Sequence, residues 1–315
     1  YTIDMMGASL ELPSILGYTT PKTNNTDLMT YGWELELEWK DQLSCGLFYG
    51  LKFLLSDSQT IVTKYPSNTT GSIRQYIPGR KLGEIWGFET IGIAKSQEEM
   101  DAHLDRLDQN FLEANGYYPS ELRPGQSALG SGWGAGDIMY KDLNGDGRIS
   151  TGDDTIDNHG DLKVIGNSTP RYHFGIDLNL AWKGIDFSAY FQGVGKRDFW
   201  AYGNVAIPCG GSGYGDAMFD HQMDYWTETN TDAFYPRPFD NTWTTAGKSF
   251  LKQTRYLSNM AYLRCKNITV GYTLPKAWVS KASLESVRVY FSGENLFEFD
   301  DMHLPVDPES TAYKT

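Results

Sequence analysis

The chain has 315 residues, with 27 Lys and Arg against 40 Asp and Glu, for a formal net charge of −13. That balance excludes nucleic acid as an expected partner, because phosphate backbones are bound by clustered cations. No apolar run reaches the roughly 18 residues of a membrane-spanning helix, which leaves strands as the only way to cross a bilayer.

Aromatic residues at 14% and 33 glycines suit an all-β protein, where aromatics fill strands and glycine fills turns. The cysteines, Cys45, Cys209 and Cys265, are too few and too widely spaced for a disulfide framework or a zinc site. They are expected to be free thiols, two in strands and one in a loop. The chain opens inside a pattern, with no signal peptide, as a piece of a longer protein would.

In chain order, the first clear element has Trp33, Leu35, Leu37 and Trp39 alternating with Glu34, Glu36 and Glu38. This is the period of two that marks a strand with one apolar face. A tight turn near Asp41-Gln42 is expected to lead into a partner carrying Leu43, Cys45, Leu47, Tyr49, Leu51 and Phe53 on one face. A long excursion over 57–170 follows. It contains one helix, announced by Ser96 and Glu99 as a capping box. Met100, Leu104, Leu107 and Phe111 recur at helical spacing, and Gly116 is the stop.

The same excursion holds the sharpest local motif, at 142–153. Asp142, Asn144 and Asp146 supply oxygens at alternate positions, Gly147 permits a tight turn, Arg148 offers its carbonyl, and Asp153 closes the loop with a carboxylate. That spacing is the one used by oxygen-liganded Ca²⁺ loops. Ile149 is expected to anchor the loop inward. A structural Ca²⁺ site is therefore expected at Asp142, Asn144, Asp146, Arg148 and Asp153. The competing reading is an Asx-rich turn held by its own side-chain-to-backbone bonds.

Next come Tyr172, Phe174, Ile176, Leu178, Leu180 and Trp182 on one face, against His173, Gly175, Asp177, Asn179, Ala181 and Lys183 on the other. Such a strand is roughly 33 Å long. Tilted by about 40°, it rises roughly 25 Å, the height of the apolar band of an outer-membrane barrel. A short turn at Lys183-Gly184 leads to Ile185, Phe187, Ala189 and Phe191, alternating with Asp186, Ser188, Tyr190 and Gln192. A second long excursion, 195–258, is rich in aromatics and carboxylates. Trp200, Tyr202, Asp216, Tyr225 and Trp226 are its candidate cargo contacts, by ring stacking and hydroxyl hydrogen bonding. The alternative is that Trp200, Tyr202, Tyr214, Tyr225, Trp226, Tyr235 and Trp243 form the loop's own core or a contact with a lid. The last hairpin has Ile268, Val270, Tyr272 and Leu274, a longer turn, then Val287, Val289 and Phe291.

Three hairpins with short connections, separated by long excursions, match the short periplasmic turns and long extracellular loops of a membrane barrel. Trp39, Trp182 and Trp278 lie beside the short turns, where an interfacial girdle belongs. The opposite faces carry Glu34, Glu36, Glu38, Asp177 and Asp186, too polar for the core of a soluble sandwich and suited to a wet lumen. The fold expected is an all-β, transmembrane antiparallel barrel portion with long extracellular loops. The five histidines are scattered, and no nucleophile-elbow, P-loop or zincin motif occurs, so the protein is not expected to be an enzyme.

Successive segments also carry a family resemblance. Gly83-Glu84-Ile85-Trp86-Gly87, Tyr140-Lys141-Asp142-Leu143-Asn144-Gly145-Asp146-Gly147 and Val164-Ile165-Gly166-Asn167-Ser168-Thr169-Pro170-Arg171-Tyr172 are among them. Phe191-Gln192-Gly193-Val194-Gly195, Asp224-Tyr225-Trp226-Thr227, Tyr235-Pro236-Arg237-Pro238, Gly271-Tyr272-Thr273-Leu274-Pro275 and Val289-Tyr290-Phe291-Ser292-Gly293-Glu294-Asn295-Leu296 continue the series. In order and spacing they resemble SusC/RagA-type TonB-dependent outer-membrane transporters along nearly the whole chain, 1–315. The resemblance implies a C-terminal part of a barrel of about 22 strands with a plugged lumen, without the plug, the early strands and the final strands. It also implies a bacterial outer-membrane location in Bacteroidetes, a SusD-like lipoprotein lid, and TonB coupling through regions outside this sequence. The implied cargo is a glycan oligosaccharide or a peptide. The contrasting reading is a soluble calcium-binding β-rich adhesin, in which Tyr172, Phe174 and Leu178 would pack against a second sheet.

Overall fold

The computed structural model describes residues 1–9, 22–117, 125–203, 205–209, 218–238 and 248–310. In chain order the elements are β1 (Thr2–Ser9), β2 (Lys22–Gln42), β3 (Phe48–Lys64), β4 (Glu84–Phe88), β5 (Thr90–Ile93), α1 (Gln97–Asn115), β6 (Ile138–Tyr140) and β7 (Leu162–Asn167). They continue with β8 (Arg171–Trp182), β9 (Ile185–Lys196), β10 (Asp198–Phe199), β11 (Ser258–Asn259), β12 (Tyr262–Thr273), α2 (Lys276–Val279), β13 (Arg288–Glu294) and β14 (Glu298–Asp300). One antiparallel sheet dominates, in the order β1-β2-β3-β8-β9-β12-β13, with β14 also on β12. Among the described residues the sheet does not close on itself, and β1 and β13 are its edges.

The register turns single-strand alternation into rows that cross the sheet. Trp39 pairs with Leu51, Leu51 with Leu178, Leu178 with Ala189, and Ala189 with Ile268. One step down the strands, Tyr49, Leu180, Phe187, Val270 and Phe291 form the next row on the same face. The opposite face carries Glu38, Lys52, Asp177 and Tyr190 in one row. Side chains of successive residues alternate between faces, so this one register sorts every apolar stripe to one side and every polar one to the other. The apolar rows lie open: Trp39 is 63% and Phe291 71% exposed. No second sheet covers them among the described residues, as a sandwich core would require. An open apolar band of this width is suited to lipid, not to water.

On the polar face the strands are laced by ion pairs, Lys52 to Glu36 at 2.7 Å and Arg288 to Asp186 at 2.5 Å. The Arg288 bridge passes over β12 at Gly271. A Cβ there would lie 2.5 Å from the guanidinium and 2.6 Å from the Asp186 carboxylate. Glycine is thus what lets strands on either side of β12 reach each other.

The structure departs from the sequence reading in several places. The first turn is not at Asp41-Gln42. β2 runs through Gln42, and 43–47 form the turn, closed by Leu43 N–H on Leu47 O at 2.9 Å and Gly46 N–H on Leu43 O at 2.8 Å. Leu43, Cys45 and Leu47 alternate by accident and belong to no strand, so only Cys265 of the three cysteines lies in one. β2 has 21 residues and β3 17. At about 3.3 Å per residue β2 is roughly 66 Å long, far beyond the apolar band, so the stretch from 57 to Lys64 is still strand. β13 and β14 continue one another across a bulge. Cys265 N–H binds Phe297 O at 3.0 Å and Asn295 N–H binds Lys266 O at 3.2 Å, so three residues face two.

The first excursion is a folded unit. β4 pairs with β7 and β5 with β6. Its core joins Phe88, Ile93, Met100, Leu104, Leu107 and Ile138. Trp226 and Ala233 of the second excursion enter the same core, so the two pack as one crown above the wall. α1 begins where the capping box placed it: Ser96 accepts from Glu99 N–H, and Glu99 in turn accepts from Lys95 N–H at 2.6 Å. It ends on left-handed Gly116, whose N–H caps Leu112 O. A buried ion pair locks the crown. The Lys248 ammonium is wholly buried and donates to Asp137 Oδ2 at 2.9 Å and to the Gly132 carbonyl at 2.8 Å. It lies 4.5 Å from the Trp133 ring centre.

His103 on α1 is 3% exposed and lies between Gln126 Oε1, 3.1 Å from Nε2, and the Arg106 guanidinium, 3.1 Å from Nδ1. Arg106 has only donors to offer, so Nδ1 accepts, and Nε2 carries the proton and donates to Gln126. Burial, and secondarily the Arg106 charge, hold the imidazole below its ordinary value of 6.5, while the Gln126 bond opposes them. A depressed folded value means the unfolded state takes up the proton first, so the contribution is complete above about 6.5 and is lost as pH falls below it, by at most about 1.4 kcal/mol per pH unit. Amide-exchange protection of α1 should therefore hold steady above pH 6.5 and decline below it. His103→Gln should abolish that decline, and an unchanged profile in the variant would contradict the assignment.

Candidate functional site

β9 leaves the wall at Lys196, and β10 pairs with β11 immediately above it. This turns Trp200 and Tyr202 toward the first excursion. There, 250–254 is strapped to β4 and β5: Phe88 N–H donates to Lys252 O at 2.8 Å, Thr254 N–H to Phe88 O at 3.1 Å, and Thr90 Oγ1 to Gln253 Oε1 at 2.7 Å. Between these parts opens a cleft of about 500 Å³, with Trp86, Trp200, Tyr202 and Phe250 on its walls. The cleft carries charge of both signs. Arg74 bridges to Asp154 at 2.7 Å, and Lys252 lies 5.8 Å from the Tyr202 ring centre. Aromatic faces with interspersed charges can hold an extended polar ligand through stacking and hydrogen bonds together.

Behind this cleft is a second cavity of about 210 Å³. Trp200 and Phe250 line both, so the two lie back to back across those rings. Tyr235, Tyr256 and Phe250 form a stacked column, with centroids 5.8 and 5.2 Å apart. Burial pushes the Tyr235 phenol up to about 12, so it is neutral at any physiological pH. The remaining wall comes from the segment after β14. Arg264 and Lys266 of β12 pin that segment, Arg264 to Asp307 and Glu309 at 2.6 Å each, Lys266 to Glu309 at 2.5 Å. In register, Arg264 faces Gln192 on the polar side of the sheet. The cavity therefore stands over the lumen face of the wall.

Of the five cargo contacts expected from sequence, Trp200 and Tyr202 meet in the cleft. Trp226 is 9% exposed and packs in the crown core, and Tyr225 is half-buried beside it. Asp216 lies outside the described residues, as do Tyr214 and Trp243. Phe250 and Lys252 lie in no motif, and Trp86 lies in the Gly83–Gly87 motif, which marks the family resemblance and no site. Only the strap onto β4 brings them to it. His221 binds the Val205 carbonyl at 2.8 Å, while Asp224 accepts from Asn230 at 3.0 Å.

The 142–153 loop coils as its spacing predicts. Asp142 accepts from Gly145 and Gly147 N–H at 2.7 and 3.0 Å, Asn144 from Asp146 N–H at 3.0 Å, and Asp146 from Arg148 N–H at 2.7 Å. Gly147 has φ 75°, and a Cβ there would lie 2.3 Å from Leu107 O on α1, so the loop rests directly on that helix. Ile149 is fully buried in the crown core. Asp153 instead turns to Asn158, which donates to it at 2.8 Å. Asp161 stands nearer the coil. Fully buried, it accepts from Leu143 N–H at 2.7 Å and Ser150 N–H at 2.9 Å. Burial first, then the charges of Asp142 and Asp146, push its carboxyl above the ordinary carboxylate range, against the pull of those two amides. Among the described residues no three His, Cys, Asp or Glu side chains already converge as a metal cluster.

No protein-family model matches the chain. It is 25% identical over 314 residues to TonB-dependent receptor P3 of Formosa agariphila, covering 95% of this chain and 27% of that protein. It is likewise 25% identical over 313 residues to TonB-dependent receptor P26 of the same organism, covering 96% and 28%. The solved RagAB peptide transporter superposes with a TM-score of 0.61 at 16% identity, over 96% of this chain and 29% of that one. The RagAB peptide importer in the open-open state gives 0.59 at 17% identity, over 96% and 28%. The chain thus spans a little over a quarter of the length of the proteins it matches. The resemblance carried by the motifs extends to sequence and fold along nearly the whole chain. The sheet shares its fold with a stretch of the RagAB transporter, and the relatives in sequence are TonB-dependent receptors.

Proposed function

We propose that this chain forms the wall and extracellular crown of a TonB-dependent importer that takes up an oligosaccharide or a peptide with a SusD-like lipoprotein as its lid. The observation that carries the reading is the pair of faces: apolar rows that suit lipid, and ion-paired polar rows that suit a wet passage. The cleft at Trp200 and Tyr202 offers such a cargo a polar aromatic surface. A soluble adhesin would need its apolar rows covered, and they are open. Deleting the gene for the full-length protein should abolish energy-dependent uptake of the labelled nutrient, and an uncoupler should do the same in the wild type. Uptake that survives both treatments would refute the import reading.

We also propose that the 142–153 loop holds Ca²⁺ as a structural ion. Asp142, Asn144, Asp146 and the Arg148 carbonyl would be ligands, with Asp161 in the place expected of Asp153. The donor set is hard oxygen throughout, as Ca²⁺ requires. A cation would relieve the mutual repulsion of Asp142, Asp146 and buried Asp161, and would stabilise only the ordered loop. Chelation should raise protease cleavage within 137–160 several-fold, and Asp161→Asn should reproduce that rise while Asp153→Asn does so weakly. Cleavage indifferent to chelator would rule the ion out.

A further inference from the structure

The cavity behind Trp200 has an apolar floor and a polar mouth. Trp200, Ala201, Tyr235 and Leu304 are each at most 9% exposed, whereas Asn259, Asp301 and His303 at the rim are exposed. Most of the polar groups set into the floor are already engaged within the protein, the buried Tyr235 hydroxyl being the one without a partner among the described residues. The Tyr256 hydroxyl donates to the Phe234 carbonyl at 2.9 Å, and Arg255 donates to the Ala233 and Phe234 carbonyls at 2.9 and 3.1 Å. A sugar ring entering it would bury hydroxyls with few partners, a loss of roughly 1–3 kcal/mol for each one unsatisfied. An apolar group meets no such loss. A dry cavity of about 150 Å³ accommodates benzene, so about 210 Å³ suits one aromatic or branched aliphatic side chain.

Position points the same way. The cavity stands over the lumen face, because Arg264 and Lys266 hold the 301–310 segment there. It also backs onto the open cleft through Trp200 and Phe250. A chain-like cargo lying over the rim at Asn259, Asp301 and His303 can therefore lower one side group into the cavity while its polar backbone stays at the rim. We propose that this cavity is a side-chain subsite that selects peptide cargo carrying an uncharged aromatic or branched aliphatic residue. The proposal rests on the import reading and narrows the cargo class within it.

The test uses the full-length protein in detergent and calorimetric titration with acetyl-Gly-Gly-X-Gly-Gly-amide, where X is Ala, Asp, Leu, Phe or Trp. Phe and Leu peptides should bind at least tenfold more tightly than Ala and Asp peptides. Ala201→Phe, which fills the floor, should erase that preference. Leu304→Ala, which enlarges it, should move the optimum to Trp and serves if the filled variant does not assemble. Binding indifferent to X, no binding of any peptide, or a preference that survives both variants would overturn the subsite. So would maltoheptaose binding that Ala201→Phe abolishes, since that would give the cavity to sugar. Side-chain-selective binding without energy-dependent accumulation in cells would sink the import reading and leave the subsite standing. Accumulation of peptides regardless of X would do the reverse.

Discussion

Everything in this structure depends on the register of the wall. In hydrocarbon no water is available to satisfy backbone groups, so strands must pair along their whole length. Because side chains alternate, a slip of one residue between any two strands would move an entire row to the wrong side. Here such a slip would carry Glu36, Glu38, Asp177 or Asp186 into lipid and Leu178, Phe187 or Val270 into the lumen. The ion pairs on the polar face reinforce the one register that avoids this. Lys52 reaches Glu36 on one side of β3 and pairs in register with Asp177 on the other. Arg288 reaches Asp186 over the gap left by Gly271.

The crown inherits its geometry from that wall. β9, β12 and the segment pinned by Arg264 rise from fixed positions, so the aromatic residues that follow them arrive at fixed positions too. Above, the buried Lys248 and Asp137 pair joins the second excursion to the first, and Arg237 adds a longer contact to the same carboxylate at 3.3 Å. Removing one partner of such a pair leaves a buried charge uncompensated, at a cost of roughly 3–5 kcal/mol. The cleft and its rear cavity are thus held between described segments of both excursions that this pair ties together.

The wall was legible in the sequence because period two is a local signal. The faces of 172–182 and 185–192, the two-residue turn between them and the cap of α1 all follow from neighbours in the chain. The same signal misled at Leu43, Cys45 and Leu47, where alternation runs on into a turn that Gly46, at φ 83°, closes. It was silent on β4 to β7, where strands of three to six residues are too short to show a period. The metal-like spacing was visible, but Asp161 was not, since it approaches the coil only after the chain has turned back past Asn158. The rear cavity was hidden for the same reason. Trp200, Phe250 and Leu304 come together only through pairings between distant segments, and Trp226, which reads like a stacking platform, is spent on the core.

The most direct test of the account is to place a single arginine at the middle of β8 on either face and measure assembly into the outer membrane by heat-modifiable electrophoretic mobility. Leu178→Arg puts the charge toward lipid, where it costs about 2–4 kcal/mol at the bilayer midplane. Asn179→Arg puts it in the lumen one residue away. The account predicts that the first variant loses most of its folded, membrane-inserted form while the second assembles like the parent. Equal assembly of the two, or failure of the second alone, would contradict the assignment of the faces and with it the barrel wall.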